Sequence, residues 1–162
     1  DAEAGIGVDE TSAVMLRFGK SQIEVEAFGR SGAWWLMKPV QDKTKRSLSL
    51  VAHYLAPGKT LQWRNGQLHS VNVAQFSADK KADSTTTDAL ARGAMRDSLW
   101  KMVSNHQPET TLHAQGRLIE ISASPASRFW QGPENQIGIT DLKIVIIDDE
   151  PATSSRQNQT SH

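Results

Sequence analysis

The sequence predicts one mostly β domain with a single helix, and three observations predict it. Apolar residues alternate with polar ones in short runs along most of the chain, which is the period of a half-buried strand. An Asn65-Gly66 pair lies between two such runs, and because both residues tolerate positive φ it is a strong hairpin signal. One stretch, about Thr87 to Asn105, carries apolar residues at helical spacing. With 162 residues, 38% of them hydrophobic, the chain is long enough to bury one core.

Residues 1–10 mix Gly, Ala and acids without apolar period and read as a flexible leader. From Ala13 to Phe28 the pattern is extended, with Ile23, Val25 and Ala27 alternating with Gln22, Glu24 and Glu26. Gly19-Lys20 marks a bend, a bulge or a tight turn within that run. Ala33–Met37 is a second strand, Pro39 to Arg46 a basic loop, and Ser47–Leu55 a further strand. Thr60–Trp63 and Leu68–Val73 flank the Asn-Gly turn.

Ser77 to Thr86 reads as a polar loop before the helix, whose stripe is Ala91, Met95, Leu99, Met102 and Val103. Gly93 is expected inside it, at a cost of roughly 1 kcal/mol relative to Ala. Thr111 to Ala123 reads as one strand, Pro125 to Gln136 as a loop, and Ile137 to Ile147 as a last strand that must be central or covered. The domain is thus placed at 11–149 and a disordered polar tail at 150–162.

Charge is distributed unevenly. The net charge is zero, yet residues 31–81 hold eight basic and two acidic groups. The absence of Cys excludes disulfides and thiolate zinc ligands. No run of about 18 apolar residues provides a membrane span. The chain opens at Asp1 without Met and reads as a processed or trimmed product, in an intracellular or organellar setting in preference to a secreted one.

The order strand, strand, hairpin, helix, strand, strand fits an OB-fold plan, although several α+β plans share it. Local sequence narrows the choice. Thr111–Leu118, ending in Gly116-Arg117-Leu118, resembles the fourth strand of bacterial and mitochondrial single-stranded DNA-binding proteins. A Trp-bearing loop (Phe129-Trp130) and an apolar strand follow in the family's order. Gln62-Trp63-Arg64-Asn65-Gly66 resembles the family's second hairpin, and Leu68-His69-Ser70-Val71 its next strand.

The resemblance implies a five-stranded OB-fold barrel with the helix between strands 3 and 4. It also implies binding of single-stranded DNA or RNA, and a homo-oligomer or a subunit of a multiprotein complex. The chain would be a divergent member: Leu68 stands where the family stacks a Trp, the 77–86 loop is long, and the tail lacks an acidic-apolar tip. OB-fold subunits of RNA-processing complexes share the same plan.

Capture of a single strand needs flat rings for bases and cations for phosphates. Trp34, Trp35, Tyr54, Trp63 and Phe76 are interleaved with Lys43, Lys45, Arg46, Lys59 and Arg64, and Arg117 and Trp130 complete the expected set. Adjacent Trp34 and Trp35 point to opposite faces, so at least one belongs to the core, and Trp100 reads as helix packing. Two near-matches to a phosphate loop, ending at Ser21 and Thr60, lack the first Gly. The histidines show no zinc spacing, and no Gly-x-Ser-x-Gly elbow occurs. The expectation is a non-catalytic binder without cofactor or metal. Its alternative is the same domain as a protein-interaction module within a nucleic-acid-processing complex.

Overall fold

The structure, a computed structural model, describes residues 4–8, 11–65, 67–70, 74–75, 87–91, 93–131 and 136–148. Phe76, the expected 77–86 loop and the 150–162 tail lie outside the described residues. In chain order the strands before the helix are β1 (Ala4–Val8), β2 (Ser12–Phe18), β3 (Gln22–Gly29), β4 (Ala33–Met37), β5 (Val40–Asp42), β6 (Ser47–Leu55), β7 (Thr60–Arg64), β8 (Gln67–Ser70), β9 (Ala74–Gln75) and β10 (Thr87–Asp88). After α1 (Ala94–Ser104) come β11 (Glu109–Ala114), β12 (Arg117–Ser122), β13 (Arg128–Gln131) and β14 (Ile137–Asp148).

These strands form two open sheets among the described residues. The large one runs β1-β4-β6-β14-β12-β11-β10, with β5 and β13 on the remaining halves of β6 and β14 and β9 beyond β13. The small one runs β2-β3-β7-β8. The Asn65 hairpin forms as expected, with Arg64 paired to Gln67 and Asn65 at φ 50. Gly19 lies in the tight turn that joins β2 to β3, where its N–H donates to the Gln22 carbonyl at 2.8 Å.

The five-stranded barrel is not what forms, and the helix follows β10 instead of a third strand. A barrel requires its first and last strands to pair, whereas β1 and β10 end an open sheet. Several segments depart from expectation: Val40–Asp42, expected within the Pro39–Arg46 loop, pairs with β6. Ala4–Val8, expected in the leader, pairs with β4. Thr111–Ala123 is a hairpin, turned at Gln115 (φ 47) and Gly116 (φ 74), so Gly116-Arg117-Leu118 opens a strand at a turn. The expected Pro125–Gln136 loop contains β13, paired along β14.

The helix is shorter than its apolar stripe suggested. Gly93 adopts φ 75 as its N-cap, so the glycine expected inside the helix starts it. Leu99, Met102 and Val103 from α1 are buried against Ala52, Leu112, Ile121, Ile139 and Leu142 of the large sheet. On the sheet's opposite face, Ala33, Trp35 and Leu55 pack against Val25, Ala27 and Leu61 of the small sheet. The chain therefore has three layers: helix, large sheet, small sheet.

β14 serves the helix face along most of its length because of one irregularity. Ile139 pairs with Tyr54 and Leu142 with Ala52, so the strand carries an extra residue between these pairs. Asp141 takes φ 57 there. A strand alternates faces at every residue, and one inserted residue inverts the alternation. Ile137 and Ile139 before the bulge, and Leu142 and Ile144 after it, consequently share one core.

Candidate functional site

The expected aromatic residues divide between the two cores. Trp34 and Trp35 do face opposite ways: Trp34 meets Tyr54 edge-on at 5.1 Å, and Trp35 meets Trp63 at 5.6 Å with the rings tilted by 34°. Trp35 and Tyr54 are buried, and the Tyr54 hydroxyl donates to the Ser31 carbonyl. Trp34 is half-buried against the first core, between α1 and the large sheet, and Trp63 against the second core, between the two sheets. Trp130, on β13, is half-buried with the Lys59 ammonium 3.9 Å from its ring centroid, a favourable cation–π geometry. Arg64 donates to the Gln22 side chain across the small sheet.

Four of the expected cations lie together elsewhere. Lys43, Lys45 and Arg46 occupy the turn between β5 and β6, and Arg117 begins β12. Antiparallel register sets Ser47 opposite Ile147 and Arg117 opposite Asp148, which brings the turn and β12 to one end of the sheet. Asp148 lies between the two arginines, 3.7 Å from Arg46 Nη2 and 3.3 Å from Arg117 Nε. Lys43, Arg46, Arg117 and Asp148 rim a cleft of about 480 Å³ whose floor is Leu48 and Ile146.

The turn itself is tied down. One Asp42 oxygen accepts the Thr44 hydroxyl at 2.6 Å and the N–H groups of Thr44 and Lys45 at 3.0 and 3.2 Å. These bonds, the Thr44 hydroxyl foremost, hold the Asp42 carboxyl below its ordinary pKa. Arg46 closes the turn in the left-handed region at φ 48.

The cleft cations and the Trp34–Tyr54 rings do not form one surface. Trp34 and Tyr54 lie at the far end of β6 from Arg46, and Ser47 to Tyr54 is seven residues, about 23 Å along a strand. A base stacked at one end and a phosphate held at the other would belong to different parts of a ligand.

A second feature was not anticipated. β1 and β2 are the open edges of their sheets, separated in sequence only by residues 9–11. Among the described residues, six of the nine large exposed apolar side chains lie on β1 to β3: Ile6, Val8, Met15, Leu16, Phe18 and Phe28. Ile6 pairs with buried Trp35, and Leu16 with buried Val25, so both sit on inner, core-facing sides. They are nonetheless 40% and 37% exposed, and Phe18 on the same face as Leu16 is 75% exposed. Among the described residues nothing closes the sandwich along this side. The alternation of β2 showed which face points inward, but no sequence signal showed that the covering layer stops short.

Two other cavities flank the helix. One of about 220 Å³ lies among Arg30, Tyr54, Arg96, Asp97 and Trp100, and one of about 580 Å³ among Val8, Trp34, Leu90 and Met95. Among the described residues no group of three His, Asp or Glu side chains could hold a metal ion. No helix among them is long and apolar enough to cross a membrane. No family model, curated protein or solved structure matches the chain.

Proposed function

We propose that this chain is a non-catalytic protein-interaction module that accepts an extended strand from a partner polypeptide along its β1–β2 side. The observation that carries this reading is the coincidence of two open edges with exposed inner-face residues Ile6, Leu16 and Phe18. An edge strand presents unpaired backbone N–H and C=O groups, and proteins that stay single guard such edges with charges, proline or a covering element. β1 has neither a charge nor a proline. The one charged residue of β2, Arg17, is engaged by Glu24 and Glu26 of its own sheet. An added strand would pair with these backbone groups and cover the apolar opening, which is the physics of β-augmentation.

Single-stranded nucleic acid is the second reading, and the convergence of Lys43, Arg46 and Arg117 favours it. It would run through phosphates more than through stacking, since two of the expected rings are buried.

The test of the first reading is selection of random peptides on the immobilised full chain, counter-selected on the Leu16→Lys, Phe18→Lys double variant. Leu16 and Phe18 are 37% and 75% exposed, and circular dichroism with a cooperative melt checks that the variant is folded. Peptides with alternating apolar residues that bind the wild type and not the variant are the expected result. Self-association that the variant abolishes in sedimentation would identify a second copy as the occupant. A chain that enriches no peptide and sediments as a monomer at every concentration refutes the reading.

A further inference from the structure

We infer that the cleft between the β5–β6 turn and the start of β12 binds phosphate groups through Lys43, Arg46 and Arg117. This site is separate from the β1–β2 side and does not depend on the function proposed for that side.

The inference begins with charge. The turn and the two strand ends hold Lys43, Lys45, Arg46 and Arg117 against Asp42 and Asp148 among the described residues, an excess of two positive charges. Asp149 and Glu150, which follow directly in sequence, lie outside those residues. Asp42 is occupied within the turn, where its oxygen accepts from Thr44 and Lys45. It acts there as a brace of the turn backbone that carries Lys43 and Arg46, not as their counter-ion.

Among the described residues Asp148 is the one carboxylate facing the cleft, and it is shared. Its two oxygens take one contact from each guanidinium, at 3.7 Å and 3.3 Å. A guanidinium carries five N–H donors in a planar fork suited to phosphate oxygens. Asp148 therefore leaves most donors of both arginines available while holding the two side chains on one spot. Both arginines are more than 60% exposed, so an anion can reach them without rearrangement of the chain. The Leu48 and Ile146 floor provides a low-dielectric wall on one side, which strengthens the attraction relative to an open surface.

The convergence is built by the fold. Arg46, Arg117 and Asp148 are remote in sequence and meet because β14 pairs with β6 on one side and β12 on the other. The backbone N–H of Asp148 donates to the Arg46 carbonyl at 3.3 Å, which fixes the strand end against the turn. The ligand chemistry this fits is a phosphate group with accessible oxygens, supplied by a free polyphosphate or by a nucleic-acid backbone.

Isothermal titration of the full chain at low salt, with pyrophosphate and with single-stranded oligothymidylate as separate probes, tests the inference. Arg46→Gln and Arg117→Gln should each weaken binding about tenfold, the loss of one charge-assisted contact. Asp148→Asn should tighten it, because it removes the competing carboxylate. Lys101→Gln, on the exposed face of α1, removes the same charge and should change nothing. Binding of pyrophosphate alone identifies a small phosphate ligand, and binding of oligothymidylate alone identifies a nucleic-acid backbone. If neither probe binds, or if both arginine variants behave like Lys101→Gln, the inference is overturned.

Discussion

Acid should weaken this protein well above the range where carboxylates titrate, through one histidine. His53 lies on β6, 3% exposed, and its Nδ1 accepts the backbone N–H of Asp141 at 3.1 Å. An imidazole that accepts at Nδ1 is neutral and carries its proton on Nε2. Burial pushes its pKa below the ordinary 6.5, and the opposing pull of the Asp141 carboxylate is weaker. Above pH 6.5 the group is neutral in the folded and unfolded chains and contributes no pH dependence. Below it, the unfolded chain takes up a proton that the folded chain resists, so stability falls until the folded value is reached.

The slope cannot exceed about 1.4 kcal/mol per pH unit, which caps the loss between pH 7 and 5.5 at about 1 kcal/mol. For a chain of this size that corresponds to about 2–4 °C in melting temperature. The assay is urea denaturation across this pH range for the wild type and His53→Asn. The variant retains an acceptor near Nδ1 but cannot titrate; it should be less stable at pH 7 by about 1–2 kcal/mol and show a flat profile. A flat wild-type profile, or an equal slope in the variant, would refute the reasoning.

Other expectations concern packing and backbone, read by thermal or denaturant unfolding. Gly32 has φ 78, and an added Cβ would lie 2.3 Å from the Leu55 carbonyl oxygen, so Gly32→Ala should cost about 3 kcal/mol or more. Gly58, at φ 73, has nothing within 4 Å, and Gly58→Ala should cost only about 1 kcal/mol. Leu99 is fully buried beneath α1, and Leu99→Ala should cost about 3–5 kcal/mol. Exposed Leu90→Ala should stay within about 0.5 kcal/mol. Trp35 buries an Nε1–H that has no hydrogen-bond partner. Trp35→Phe removes that donor, whose desolvation costs about 1–3 kcal/mol, and this offsets lost packing. A net cost under about 1 kcal/mol is expected, and one above about 2 kcal/mol would show that packing dominates.

The sequence revealed elements better than it revealed their assembly. Ser47–Leu55 and the Asn65 hairpin were legible because both depend on neighbouring residues: period two in one case, and two residues tolerant of positive φ in the other. Gln115-Gly116 makes a comparable turn, but Gln is a rare occupant of positive φ, so the hairpin was read as one strand. Closure was not legible at all. Whether β14 pairs with β6 and β12 or curls into a barrel depends on contacts a hundred residues apart. The cationic residues at the cleft were recognised as a basic loop plus Arg117, but their meeting at Asp148 was not, since register alone creates it. Burial of Trp35 and Tyr54 was hidden for the same reason: a ring on a strand can serve a core or a ligand, and the opposite layer decides.

The position of β14 in the large sheet also determines when the protein can take shape. A ribosome releases the amino-terminal part first, and all of β2, β3, β7 and β8 lies within the first 70 residues. Every buried member of the second core is available by Leu61, so the small sheet and the β4 end of β6 can associate while the chain is still being made. The large sheet has no such head start. Its middle strand is the last described element, and Ser47 must wait for Ile147 before the two can pair. Until then β6 has one long flank without a permanent neighbour. Non-local pairings of this kind are slow to close, and this one cannot begin before β14 has been made. β14 slots into the interior of the sheet, and with it the helix layer gains its floor.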